Sequence, residues 1–334
     1  MIRSRRPSLV DRWRLESRPA WVRQPTHEWH HFIVFLERGT LLVNVSRHVG
    51  IDERVVGRVI VLYHAHGGEW RHGLTSSEDA RFSADGRRAS VAAHHLEIDD
   101  EGWDLRASTP DGRVEAALRF TTAHAPLISR NSAIARQSDF HWIMYPDVEA
   151  RGTLRVDGEI IAIDRAGAYH DHNWGAFAWG DDFGWEWGIV SPAGDTRTAV
   201  VCTALTDRAR AVIRVQQMFL WVDGVHVWTA RGADIERRTG GRWPGTRVPR
   251  LPSVLSVATP YSASVPPREV ALTASDGRRR VEVRVSSAAC AQVLIPDEHR
   301  PTGVVVLNEC LGAAHVRHTL GDELVYEGES PCVY

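Results

Sequence analysis

GTLRV-DG-EIIAI, residues 152–163, reads as two strands joined at an aspartate–glycine pair. Apolar and polar residues alternate on both sides of Asp157-Gly158. Asp-Gly supplies the positive φ angles that a tight type I′ hairpin requires. The same dipeptide recurs at Asp85-Gly86, Asp111-Gly112, Asp223-Gly224 and Asp276-Gly277. QQMFLWV-DG-VHVWTA (216–230) and REVALTAS-DG-RRRVEVRV (268–285) repeat the arrangement. No window carries a long apolar stripe at three-and-four spacing with caps, so helices are not expected beyond short turns around Ser76–Phe82. The predicted class is all-β, with strands closed into barrels or sandwiches.

At 334 residues the chain is too long for one ordinary core, and two domains are expected. A short internal repeat agrees. Glu28-Trp29 opens EWHHFIVFLERGTLLVNVS, and Glu186-Trp187 opens EWGIVSPAGDTRTAVVCTA. The division expected is a flexible basic arm over 1–20, a first β-domain over 21–178 and a second over 179–334. Pro244–Pro267, rich in proline and serine, is expected to be a long loop.

Composition excludes several chemistries. A formal charge of -2 gives no nucleic-acid surface. All 40 basic residues are arginine, so Schiff-base and phosphate-loop lysines are absent. There is no G-x-S-x-G elbow and no dinucleotide-binding glycine pattern. Cys202, Cys290, Cys310 and Cys332 form no CxxC pair and are expected as buried thiols in a reducing compartment, with two disulfides the lesser alternative. No signal peptide or membrane-spanning run is found, so a cytoplasmic protein is expected. The basic arm leaves open a peripheral contact with an anionic membrane surface. Thirteen tryptophans against eight phenylalanines suit the lining of a pocket for a large apolar small molecule. The oligomeric state is left open.

The richest constellation is GAYHDHNWG, residues 167–175. On an extended strand Tyr169, Asp171 and Asn173 share one face, and His170, His172 and Trp174 share the other. A Tyr–Asp–Asn row is costly to bury unless it has a purpose or partners. The alternative is a polar network that joins the two domains. His170-x-His172 could also ligate a metal, but no acid follows it within a few residues. His64-x-His66, with Glu69 and His72 nearby, is the better metal candidate, although satisfied polar histidines are the more ordinary outcome and no metal or cofactor is expected. In His30-His31 and His94-His95, alternation lets one member of each pair enter a pocket, although a rim or surface position is the more ordinary outcome.

At AYHDHNWG the chain resembles the carotenoid 1,2-hydratases, also called hydroxyneurosporene synthases, and the wider lipocalin-like proteins related to them. The resemblance rests on Tyr169-x-Asp171-x-Asn173-Trp174-Gly175, then Asp182-Phe183 and Trp185-Glu186-Trp187-Gly188, with Glu28-Trp29 near the start. It implies two lipocalin-like β-domains in tandem, with the ligand site between or inside them. It also implies an acid that protonates an isolated alkene. Asp171 inherits that role, assisted by Tyr169. The family's His-x-Trp finds its nearest equivalent in His141-Trp142, which are adjacent here. Catalysis is therefore assigned to Asp171, Tyr169 and His141, and substrate contact to Trp29, Trp142, Asn173, Trp174, Trp185 and Trp187.

Such chemistry needs an undissociated acid in a dry site. An exposed aspartate ionises near pH 4, and burial raises that value. Tryptophan faces stabilise the resulting carbocation by about 2 kcal/mol when desolvated. Capture by water gives hydration, and capture by an internal alkene gives a ring. Three readings follow: an acid-catalysed hydratase or cyclase, a pericyclase folding a polyene by shape, and a non-catalytic lipid or pigment carrier.

Overall fold

The computed structural model describes residues 6–14, 25–135, 138–178, 182–193, 197–207, 211–244, 248–258, 266–297 and 304–334. The chain divides into two compact units, Met1–Ala178 and Trp179–Tyr334. Each is built on one large sheet, antiparallel except for a single two-residue parallel pairing in the second. The class is all-β and fits tandem lipocalin-like domains.

The first unit opens with a one-turn helix, α1 (Pro7–Val10), and continues as strands β1 (Thr26–Leu36), β2 (Gly39–Val49), β3 (Val55–Ala65), β4 (Trp70–Ser77), β5 (Arg81–Phe82) and β6 (Arg88–Val91). Then come β7 (His94–Ile98), β8 (Gly102–Ser108), β9 (Val114–Thr121), β10 (Leu127–Ala135), β11 (Ser138–Val156) and β12 (Glu159–Ala176). Their order is β4-β3-β2-β1-β12-β11-β9-β8-β7-β6-β5, with β10 also on β11. The sheet curls on itself: Val43 of β2, Val91 of β6, Leu105 of β8 and Tyr145 of β11 share one core cluster. Alternation drives this. In β7 and β9 every second side chain is buried, which turns one face of each strand inward.

The second unit repeats the plan with β13 (Gly184–Ala193), β14 (Thr198–Thr206), β15 (Ile213–Val222), β16 (Val225–Arg231), β17 (Ile235–Arg242) and β18 (Arg250–Leu251). It ends with β19 (Pro267–Ser275), β20 (Arg279–Pro296), β21 (Val304–Leu320) and β22 (Glu323–Val333). In both units a four-strand meander is followed by the last strand of the unit, which pairs with the first: β1 with β12, β13 with β22. The two Glu-Trp dipeptides lie in those equivalent strands, β1 and β13.

Three local expectations change. Ser76–Phe82 forms no helix but the end of β4, a turn and β5. Only Asp157-Gly158 and Asp223-Gly224 place both residues at positive φ; at the other three pairs the glycine alone does so, because those loops are longer than two residues. Between Pro244 and Pro267 the described residues include β18, paired in parallel with β20, and a 3-10 segment, Ser253–Ala258.

Residues 7–14, expected within a flexible arm, are instead packed inside the first unit. Pro7, Ser8, Asp11 and Trp13 are buried. The Trp13 amide donates to the Gly86 carbonyl (2.8 Å) and that of Ser8 to Asp99 O (3.0 Å). Gly86, at φ 70°, leaves room for this approach: a Cβ there would lie 2.5 Å from the Trp13 carbonyl oxygen. The Trp13 ring packs against His30 (4.6 Å) and Phe82 (4.8 Å). Trp13→Ala is expected to lower stability by about 3–5 kcal/mol in chemical denaturation. A loss under about 0.5 kcal/mol, the size seen at open surface positions, would show that the segment does not belong to the core.

Candidate functional site

Strand β12 carries polar residues on both faces, and both faces are dry. Tyr169, His170, Asp171, His172 and Asn173 are each no more than 1% exposed. The hairpin at Asp157-Gly158 sets β12 against β11, while β1 covers its other edge. Residues directly opposite on paired strands share a face. Asp171 therefore sides with His31 and Met144, and Asn173 with Trp29 and Trp142.

Asp171 sits at the centre of a short polar chain. The Tyr169 hydroxyl donates to its Oδ2 (2.8 Å) and the Asn173 amide to its Oδ1 (2.6 Å). Burial pushes its pKa up to about 7, although the hydrogen bonds from Tyr169 and Asn173, with the Trp142 indole close by, favour the ionised form. Among the described residues no arginine pairs with it. The Oδ1 of Asn173 is buried and accepts no hydrogen bond. Trp29 packs near Phe140 (6.0 Å) and Phe177 (6.3 Å), and Met144 and Trp142 are fully buried. Of the adjacent His30-His31 pair, His31 is the member that shares a face with Asp171. Burial, with His170 nearby, pushes its pKa down to about 3, so it is neutral at physiological pH. Its signal was the alternation that begins at Trp29 and sends Trp29 and His31 to one side.

His141 and Trp174 are not brought to Asp171. They lie opposite one another in the β11–β12 pairing, one residue out of phase with Trp142 and Asn173, and so project from the other face. The adjacency of His141 and Trp142 has this consequence in any strand: one of the two must point away. His141 Nε2 instead lies 2.9 Å from Asp139 Oδ2, and its ring is 5.3 Å from that of Trp174. The Arg14 guanidinium lies over Trp174 at 4.5 Å. Trp185 and Trp187 belong to the second unit, 6.4 Å apart, with the Trp185 indole donating to Thr203 Oγ1 (2.9 Å).

The other face of β12 builds a second polar cluster around Asp11, the residue that caps α1. Asp11 Oδ2 accepts from the Trp103 indole (2.7 Å) and lies 2.8 Å from His170 Nε2; Oδ1 lies 3.1 Å from His172 Nδ1. His172 Nε2 reaches Glu28 Oε1 (2.9 Å), which also accepts from the Arg14 amide (2.6 Å). Burial alone would push Asp11 up, but His170, His172 and His30 together hold it well below the usual carboxylate range. The equivalent glutamate of the second unit, Glu186, pairs with Arg237 (2.5 Å) and accepts from the Tyr334 hydroxyl (3.1 Å).

The remaining sequence candidates stay apart. His64 is buried beside Trp70 (4.8 Å), while His66 and Glu69 are exposed. His94 contacts Thr75 Oγ1 (3.1 Å), and His95 contacts Ser90 on the surface. All four cysteines are free thiols.

Comparison with known proteins bears on the fold. No protein-family model matches the chain, and no curated protein matches it. Among solved structures, it is similar to a protein from Nitrosomonas europaea assigned as an AttH, with a TM-score of 0.64 at 11% identity over 96% of this chain and 97% of that one. It is also similar to kievitone hydratase from Nectria haematococca, with a TM-score of 0.60 at 13% identity over 99% and 94%. At these identities the likeness is one of fold.

A carboxyl whose folded pKa is raised weakens the fold as pH climbs. For Asp171 the penalty begins near the unfolded value of 3.8, grows to pH 7 and then levels off. Asp171→Asn removes that penalty while preserving shape. The variant's stability relative to the parent is expected to rise between pH 4 and pH 7 by up to about 4 kcal/mol, followed by thermal melts across that range. A pH-independent difference would show that the carboxyl is not held neutral.

Proposed function

We propose that the protein is a hydratase that adds water across an isolated alkene of an apolar, isoprenoid-like substrate, with Asp171 as the acid. The observation that carries this reading is a buried carboxyl clasped by Tyr169 and Asn173 and flanked by Trp142 and Met144. Fold similarity to a hydratase supports it.

The two influences on Asp171 suit proton transfer to carbon. Desolvation keeps the acid protonated, while the Tyr169 and Asn173 donors stabilise the carboxylate left behind. Asp171 gives its proton to the less substituted alkene carbon, and the electron pair of the double bond forms the new C–H bond. Positive charge develops on the more substituted carbon, where the Trp142 face stabilises it by about 2 kcal/mol. Water then attacks the cation, and the proton it loses returns to the Asp171 carboxylate. The unused Oδ1 acceptor of Asn173 is suited to orient that water. His31, being neutral, adds no competing positive charge on this face. The balance is one water added and the acid restored, with no cofactor consumed.

The test uses an acyclic isoprenoid bearing a terminal trisubstituted alkene, in water labelled with heavy oxygen. The parent is expected to form a labelled tertiary alcohol. Asp171→Asn is expected to lose at least about a hundredfold in kcat, and Tyr169→Phe to lose less. Full activity in Asp171→Asn would refute the assignment. A cyclised, unlabelled product would move the protein to the cyclases, and recovery of unchanged ligand by the parent would make it a carrier.

A further inference from the structure

The cluster on the opposite face of β12 has donors of a different kind. Asp11, His30 and His170 come from α1, β1 and β12, and their ligand atoms all lie within 4.8 Å of one another. Each is fully buried. It is the one group of histidine, cysteine and carboxylate residues that converges in this way among the described residues.

His30 sets this cluster apart from an ordinary polar network. Neither ring nitrogen makes a hydrogen bond, although the side chain is 0% exposed. Its Nδ1 points to Asp11 but stops 3.6 Å from Oδ2. A buried polar group left this way is expensive, by about 1–3 kcal/mol. His170 gives a second sign. Its Nδ1 lies 3.0 Å from the His31 carbonyl, which can only accept, so that nitrogen carries the hydrogen. Nε2 then faces Asp11 Oδ2 at 2.8 Å, where a positive charge must lie between them, either a second proton on the imidazole or a metal ion. A metal-ligating histidine commonly donates its other ring N–H to a backbone carbonyl, as His170 does to His31.

We infer that Asp11, His30 and His170 bind a divalent transition metal of the zinc class inside the first domain. With metal–ligand bonds of about 2.1 Å, the separations of 2.8 Å and 3.6 Å give angles at the metal of about 84° and 118°. Both separations are short enough for one ion to bridge Asp11 to each histidine. His172 and Trp103 bond the carboxylate of Asp11 from outside the set, and Glu28 braces His172. The site joins the buried amino-terminal segment to the first and last strands of the first sheet. Metal binding there adds to folding stability. The cluster lies on the face of β12 opposite Asp171, so this inference stands or falls apart from the proposed hydration.

The experiment takes the full chain from cells grown with added zinc and purified without chelator. About one zinc per chain is expected by elemental analysis, with a melting temperature that falls on dialysis against EDTA and recovers with ZnCl2. Cobalt should give ligand-field bands of a nitrogen and oxygen site. His30→Gln breaks no hydrogen bond and is expected to fold, yet to lose metal affinity by at least about tenfold. Parent protein without stoichiometric zinc, or His30→Gln retaining it in full, overturns the site. Because the parent alone decides the first outcome, the inference is testable even if the variant does not fold.

Discussion

Desolvation of β12 is the constraint on which the rest depends. Five consecutive side chains, Tyr169 to Asn173, are cut off from water and all of them are polar. Each must find its partner within the protein or lose its hydration without return. Alternation along the strand divides this burden into two sets. One contains Asp171, whose partners are neutral donors, so its charge goes uncompensated and its proton is retained. The other contains His170 and His172, which meet the carboxylates of Asp11 and Glu28. Burial has opposite outcomes one residue apart because the neighbours differ in charge.

The architecture follows from where those neighbours originate. β12 is held between β1 and β11, so residues 28–31 and 142–144 become its companions. Asp11 arrives from outside the sheet, on a segment anchored through Trp13 and the Gly86 carbonyl. The second unit uses the same strand plan but solves the equivalent problem differently. There Glu186 meets Arg237 and Tyr334, an ion pair and a phenol in place of imidazoles. The two units therefore share a frame without sharing a site.

Several features were readable along the chain. Asp-Gly pairs marked hairpins, period-two alternation marked the strands, and the Glu-Trp repeat marked the two equivalent first strands. The separation of Tyr169, Asp171 and Asn173 from His170, His172 and Trp174 follows from backbone geometry alone. The adjacency of His141 and Trp142 already implied that they could not both serve Asp171, although resemblance to a spaced motif suggested otherwise.

Sequence by itself determined the strand class, the repeat and which residues share a face, because those depend on neighbours two positions apart. Only the tertiary structure decided what each face meets. Asp11 is some 160 positions from His170 and His172 in the chain, and no local pattern couples them. His31 gains its place beside Asp171 through β1–β12 pairing, and the amino-terminal segment is buried through contacts with Gly86, Asp99 and Trp103. Such contacts are set by long-range strand order and by the burial it creates, and these are properties of the folded chain as a whole.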